Sequence, residues 1–362
     1  MYITKVEAKI VRTPLNVPFK MTYGEMPPYQ SHLIVRITTN TGLTGLGEAS
    51  ELPFFTGETV ETMKVLVEKK LGPAIIGKLV YSLRDIHHAM GIILGNATGA
   101  KSAIDMALWD VQGKRLKTPV YELLGGERKP PVRVAYVLGD ESPEEMARAA
   151  KERADAGFDT LKIKIGSDFR KDIEAISQIR QAIGPAVHLR IDANQGYHVK
   201  TAIQVIKEIE PYKIDYIEQP VPGWNYDGLR QIRSASSIPI MADESAHTLK
   251  DIYELAKKEA IDLVGIKLIK CGGITPAIQI AQFSEAIGLQ CVLISPWDTL
   301  LGTFASLHLS TILPGNYSHE MVGPYYLKDD PFGVVDIKGV MEIPNGIGLG
   351  MEDIFDEIVE EQ

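Results

Sequence analysis

The chain has 362 residues, 45% of them hydrophobic and 23% charged, which is ample material for a large buried core and about two domains. A formal net charge of −9 with no basic block to offset it argues against nucleic acid or an anionic membrane surface as the main partner. Two isolated cysteines, Cys271 and Cys291, make neither a disulfide framework nor a zinc site and fit a reducing, cytoplasmic setting. The opening MYITKVEAKIVRTPL alternates like a strand and lacks the apolar core of a secretory signal, and no run elsewhere is long enough to span a bilayer.

In chain order, ITKVEAKIVRT and SHLIVRITT read as strands, and TNTGLTGLGEA places Asn and Gly where a hairpin turns. GLTGLGE resembles a phosphate-binding glycine loop only superficially, because no helix opens after it. From Thr56 to about Leu124 the apolar spacing is helical, which completes an α+β unit over residues 1–125. From Pro131 the strands VRVAYVL, TLKIKIG, VHLRIDAN, DYIEQP, IPIMADE, LVGIKLIK, QCVLIS and a weaker YSHEM alternate with amphipathic helices. Such alternation gives a parallel sheet, and eight strands close a barrel, assigned to residues 126–330. The tail, 331–362, with a short helix expected in MEDIFDEIVEEQ, is expected to pack back on the N-terminal unit and complete it.

LKIKIG puts Leu161, Ile163 and Ile165 on one face of a strand and Lys162 and Lys164 on the other. Two neighbouring ammonium groups repel, so the arrangement needs a reason. Lys164, Asp192, Glu218, Asp243 and Lys267 follow one another near strand ends at steps of 28, 26, 25 and 24 residues, one βα unit each. They therefore ring one rim of the barrel, where βα loops build active sites. In HLRIDAN the alternation turns Arg190, Asp192 and Asn194 inward, and Ile266 and Leu268 bracket Lys267 in the same sense. Three carboxylates on adjacent strands form a hard-ligand set for Mg²⁺, with Mn²⁺ second; zinc lacks its His or Cys ligands. His308 reads as a core histidine, and His319 has no partner at metal-ligand spacing. Lys162 is expected to depress the pKa of Lys164 and make it a base. Lys164 and Lys267 lie half a barrel apart, one on each side of a bound substrate, so a proton removed on one face can be returned on the other.

These residues resemble the enolase superfamily, and within it the muconate-lactonising enzyme subgroup (mandelate racemase/muconate cycloisomerase). The resemblance rests on the Lys-x-Lys of LKIKIG, DANQGY from Asp192, IEQP around Glu218, ADES around Asp243 and KLIKCGGIT from Lys267, and runs from the N-terminal meander to about Pro331. It implies an α+β capping domain over a modified (β/α)7β TIM-type barrel, with Mg²⁺ on Asp192, Glu218 and Asp243. It also implies Lys164 and Lys267 as acid/base residues, a Lys-plus-Mg²⁺ pattern long established for that superfamily. Asn194 and Glu244 would support the ligands, Glu244 pairing with Lys267.

FFTGET, with Phe55, is similar to a loop of dipeptide epimerases, but NYSHEMVGP lacks the paired aspartates those enzymes use for the substrate ammonium. EMVGPYYLKDD is closer to muconate cycloisomerases and N-acylamino-acid racemases. SPWDTLLGT sets Ser295, Trp297 and Asp298 at the mouth, as in betaine epimerases and hydroxyproline dehydratases. There Trp297 and Asp298 would hold a cationic nitrogen, or else Trp297 packs the barrel top and Asp298 pairs with a lysine. The expected activity is Mg²⁺-dependent abstraction of the proton α to a carboxylate through an enediolate. Racemisation or epimerisation of an N-acylamino acid, dipeptide or betaine comes first; muconate-type cycloisomerisation and syn-dehydration are the alternatives, set against a catalytically silent binding protein. The expected partner is a small-molecule carboxylate, with neither nucleic acid nor membrane involved, in a homo-oligomer.

Overall fold

The computed structural model describes residues 1–127 and 131–360. Strands β1 (Ile3–Pro14), β2 (Tyr29–Thr39) and β3 (Thr44–Ser50) form an antiparallel sheet in chain order, the last two joined by a turn in which Gly42 takes φ +81°. Helices α1 (Val60–Leu66), α2 (Leu83–Ile93) and α3 (Thr98–Leu116) cover one face of it. Leu33, Val35 and Ile37 of β2 bury there against Val60, Met63, Ile104 and Leu108. The glycines of GLTGLGE serve this packing: a Cβ on Gly47 would come within 2.0 Å of the Ala103 carbonyl oxygen, and one on Gly45 within 2.4 Å of that of Ala107. Close approach of strand to helix, and no phosphate, explains them.

The barrel runs β4 (Tyr136–Leu138), α4 (Pro143–Asp155), β5 (Thr160–Lys164), α5 (Phe169–Ile183), β6 (His188–Asp192), α6 (Val199–Ile209), β7 (Ile214–Glu218), α7 (Tyr226–Ala235), β8 (Ile240–Ala242), α8 (Leu249–Lys257), β9 (Leu263–Ile266), α9 (Ile274–Ala286), β10 (Gln290–Leu293) and α10 (Leu300–Ser310). All seven strands are parallel and hydrogen-bonded in chain order. The sheet closes through YSHEM, which is shorter than a strand: His319 bridges Val134 and Glu320 bridges Ile294, both in parallel sense. Eight staves with seven helices between them are the expected (β/α)7β barrel. Capping boxes at Ser142 and Thr248 start α4 and α8 where the sequence places Ser and Thr three residues before an acidic partner.

Two expectations fail locally. LVGIKLIK is strand only to Ile266; Lys267 keeps an extended backbone and N-caps a single helical turn, Leu268–Cys271, which Gly272 and Gly273 end at φ +96° and +116°. MEDIFDEIVEEQ forms turns, because the carbonyls of Phe355 and Ile358 accept from Lys9 Nζ at 2.7 and 2.8 Å instead of from a helical ladder. Residues 361–362 lie outside the described residues. The tail nonetheless packs on the N-terminal sheet, with Arg36 over the Phe355 ring at 4.4 Å and paired to Asp356 at 2.7 Å. Among the described residues no helix is long and apolar enough to cross a membrane.

Candidate active site

The strand-end residues converge. Lys164 pairs in register with Asp192, and Asp192 with Glu218, so three staves set these side chains on one rim; Asp243 follows β8 by one residue and Lys267 follows β9. Asp192, Glu218, Asp243 and Lys267 are all buried. Lys164 Nζ donates to Asp192 at 2.6 Å. Lys162, one layer deeper, lies 2.6 Å from Glu218, 2.8 Å from Glu320 and 3.2 Å from Asp192.

This changes the reading of the Lys-x-Lys pair. Burial pulls the Lys162 pKa down, but Asp192, Glu218 and Glu320 outweigh it and hold the ammonium well above the ordinary lysine value. Lys162 is therefore no bare like charge set against Lys164, as the sequence led us to expect; its charge is balanced by carboxylates from three staves. Glu320 was invisible in the sequence because the partnership spans 158 residues. Lys270 was missed for a similar reason: on the short turn after Lys267 it donates to Asp243 at 2.7 Å and to the carbonyls of Asp243 and Gly265. A lysine one helical turn beyond Lys267, in an otherwise apolar segment, was the available signal.

Lys267 pairs with Asp243, and not with Glu244 as expected. Glu244 accepts instead from the Tyr23 hydroxyl at 2.6 Å and from Asn194 Nδ2 at 3.3 Å. Burial, with the charges of Asp243 and Asp192, pushes Glu244 up to about 7. Burial opposes ionisation of Asp192 and Asp243, yet their lysines hold both well below the carboxylate range. Burial and the Asp192 charge push Glu218 the other way, which Lys162 only partly offsets.

The cap closes over this rim. Lys162, Lys164, Lys267, Asp192, Asn194 and Glu320 share a cavity with Phe19, Leu52, Phe54, Phe55, Ile294, Ser295, Trp297 and Val322. The Phe55 ring covers Lys267 Nζ at 3.8 Å. Trp297 packs edge-on against Phe19 at 4.7 Å and Tyr326 at 4.9 Å while still lining the cavity. Asp298 takes neither expected role: it turns away from the cavity and accepts from Ser50 Oγ at 2.9 Å and Ser295 Oγ at 3.3 Å. His308 sits in the core, accepting from the Tyr121 amide, and His319 accepts from that of Leu293. The free space between cap and rim, ≈ 40 Å³, suits a water or two. A wider cleft of ≈ 330 Å³ lies at the opposite end of the barrel, among Thr160, His188 and Gln290 at the strand starts, away from both rim lysines.

Two oxygens at the rim are the hard donors that a cation such as Mg²⁺ takes. Glu218 Oε1 and Asn194 Oδ1 are buried without a hydrogen-bond partner, and each of the three carboxylates already meets an ammonium group. Among the described residues no three acidic, His or Cys side chains converge on a single point; the lysines stand between them.

Residues 4–125 match the mandelate racemase / muconate lactonizing enzyme N-terminal domain, and residues 145–356 the enolase C-terminal domain-like family. A dipeptide epimerase from Enterococcus faecalis, solved with Mg and L-Leu-L-Tyr, superposes with a TM-score of 0.93 at 35% identity, covering 97% of this chain and 99% of its own. N-succinyl Arg/Lys racemase from Bacillus cereus superposes with a TM-score of 0.95 at 31% identity, over 99% and 98%. A chloromuconate cycloisomerase from Cupriavidus necator is 31% identical over 367 aligned positions, 99% of this chain and 98% of that one. With both halves matched and the rim lysines and carboxylates in place, the chain belongs to the enolase superfamily, in its mandelate racemase / muconate lactonizing enzyme branch, and is an isomerase.

Proposed function

We propose that the chain is an Mg²⁺-dependent racemase or epimerase of an amino-acid derivative whose nitrogen is uncharged and whose side chain is apolar. One observation carries this reading: Lys164 and Lys267, four staves apart in an eight-stave barrel, line one cavity. One lysine takes the proton α to the substrate carboxylate; the other returns a proton to the opposite face. Asp192, Glu218 and Asp243 would hold Mg²⁺, with Asn194 and Glu244 beside them. When bound, the ion supplies positive charge to the substrate carboxylate and to the second negative charge that enolisation develops there. Lys162 holds the carboxylate set together from below.

The cavity supports the choice of substrate. Of the two carboxylates that line it, Asp192 belongs to the set assigned to Mg²⁺ and Glu320 is held by Lys162, which leaves neither for a substrate ammonium. The remaining lining is largely aromatic and aliphatic, with the Ser295 hydroxyl as a neutral hydrogen-bonding group. An N-acylamino acid fits better than a free-amine dipeptide or a betaine. Cycloisomerisation or syn-dehydration needs one lysine; a second, capped by Phe55 on the far side, favours two-base chemistry.

We assign this chemistry to residues 126–330, covered by 1–125 and 331–362, in a cytoplasmic homo-oligomer. Sedimentation would test the homo-oligomer. The decisive experiment is proton NMR in D₂O with Mg²⁺, and in parallel Mn²⁺, against pools of N-acylamino acids, dipeptides, proline betaines and muconates. Loss of the α-proton signal in the N-acyl pool is expected. A new product without α-exchange, or turnover confined to muconates, would replace this reading.

A further inference from the structure

We propose that Glu48, a residue of the cap, is a positioning residue for the substrate cavity: it caps α10 across the boundary between cap and barrel and thereby fixes the Ser295–Trp297 turn. Glu48 lies on β3, fully buried. Its Oε1 accepts from the Thr299 amide at 2.9 Å; its Oε2 accepts from the Gly302 amide at 2.8 Å and from the Thr299 hydroxyl. The two amides, of the N-cap residue Thr299 and of Gly302 in the first turn, are donors that the start of α10 leaves without intrahelical partners, and the hydroxyl is that of the N-cap residue itself. A carboxylate there is favourable for the helix dipole as well. Usually such a cap comes from the residue just before the helix; here part of it comes from 251 residues upstream.

On its other side Glu48 is held in place. His32 Nδ1 donates to it at 2.8 Å, and the Ser50 hydroxyl lies 3.2 Å from it and 2.9 Å from Asp298. Asp298 in turn meets Ser295 Oγ through both its carboxyl and its amide, at 3.3 and 3.2 Å. A buried chain of polar contacts thus runs from His32 of the cap to Ser295 at the cavity wall. Between its last two members sits Trp297 at φ +69°, a conformation that a bulky residue keeps only where its surroundings over-determine it. The packing supplies that: a Cβ on Gly323 would lie 1.7 Å from the Asp298 carbonyl oxygen, and one on Gly302 would meet Asp298 Cβ at 2.8 Å. Burial opposes ionisation of Glu48, but His32 and Thr299 hold it below the ordinary range; burial and the Glu48 charge push Asp298 well above it.

The kinetic part of this inference rests on the proposed racemase reading, so its test has a readout that needs no substrate. In full-length Glu48→Gln, amide hydrogen exchange over 295–302 is expected to accelerate about tenfold relative to the remainder of the barrel, the loss of one charged acceptor. With the substrate found above, KM is expected to rise about tenfold and kcat to change less than threefold, because the turn lines the cavity and carries neither lysine. Should Glu48→Gln not fold, Ser50→Ala, which removes only the bridging hydroxyl, is read by the same two measurements. Unchanged exchange over 295–302, or faster exchange with KM unaltered, would overturn the inference. If neither wild type nor variant turns over any pool, the racemase reading has failed, and the exchange result alone decides the role of Glu48.

Discussion

Lys164 and Lys267 make the sharpest prediction at the scale of single residues. If each serves one face of the substrate, Lys164→Ala and Lys267→Ala both lose racemisation, by about 10²-fold or more. Each should still exchange the α-proton of one enantiomer with D₂O, and the two variants should choose opposite enantiomers; loss of exchange for the same enantiomer in both would leave a single base. Lys162 differs in kind. Replacing it by Met leaves Glu218 and Glu320 without their ammonium in the interior, while Asp192 keeps Lys164, and breaking a buried pair in this way costs about 3–5 kcal/mol, readable by denaturant titration. The five strand-end residues were legible because a βα unit has a nearly fixed length. Glu320 and Lys270 were not, since nothing local marks which carboxylate a buried ammonium will meet.

Elements carry the next predictions. Gly47→Ala drives a Cβ into the backbone of α3, so the cap should lose about 3 kcal/mol or more of stability; a neutral result would mean that sheet and helix can part freely. Asp172, on α5, accepts from the Gly166 amide at 3.1 Å and from the Tyr197 hydroxyl at 2.5 Å, tying the loop after β5 to that after β6. Burial raises its pKa to about 6, against 3.8 ordinarily. The folded state therefore holds this proton more tightly than the unfolded one, and the stability it brings is present below pH ~4 and lost as pH rises through ~6. Asp172→Asn should flatten that part of the stability profile, measured by urea midpoints from pH 4 to 7. Helical and strand periodicity predicted nearly every element in order. Lys267 and MEDIFDEIVEEQ departed from it because Gly272–Gly273 and the Lys9 ammonium, one just past the strand and one at the far end of the chain, redirect the backbone.

For the whole molecule, a dication bound to the folded rim and not to the unfolded chain stabilises by mass action, about 2.7 kcal/mol at 100 times its dissociation constant. Mg²⁺ should thus raise the urea midpoint, with EDTA reversing the gain and Glu218→Gln abolishing it; a midpoint indifferent to Mg²⁺ would remove the metal assignment. The sequence by itself determined the barrel, its cap and the ring of Lys164, Asp192, Glu218, Asp243 and Lys267, because strand alternation and βα spacing are properties of short stretches of chain. Tertiary structure alone decided that Lys162 is neutralised, that Asp298 faces Ser50 and not the cavity, that Glu244 belongs to Tyr23, and that Glu48 caps a barrel helix. Each of those is a pairing of buried polar groups far apart in sequence, chosen by the cost of leaving a donor, acceptor or charge unmet once water is gone.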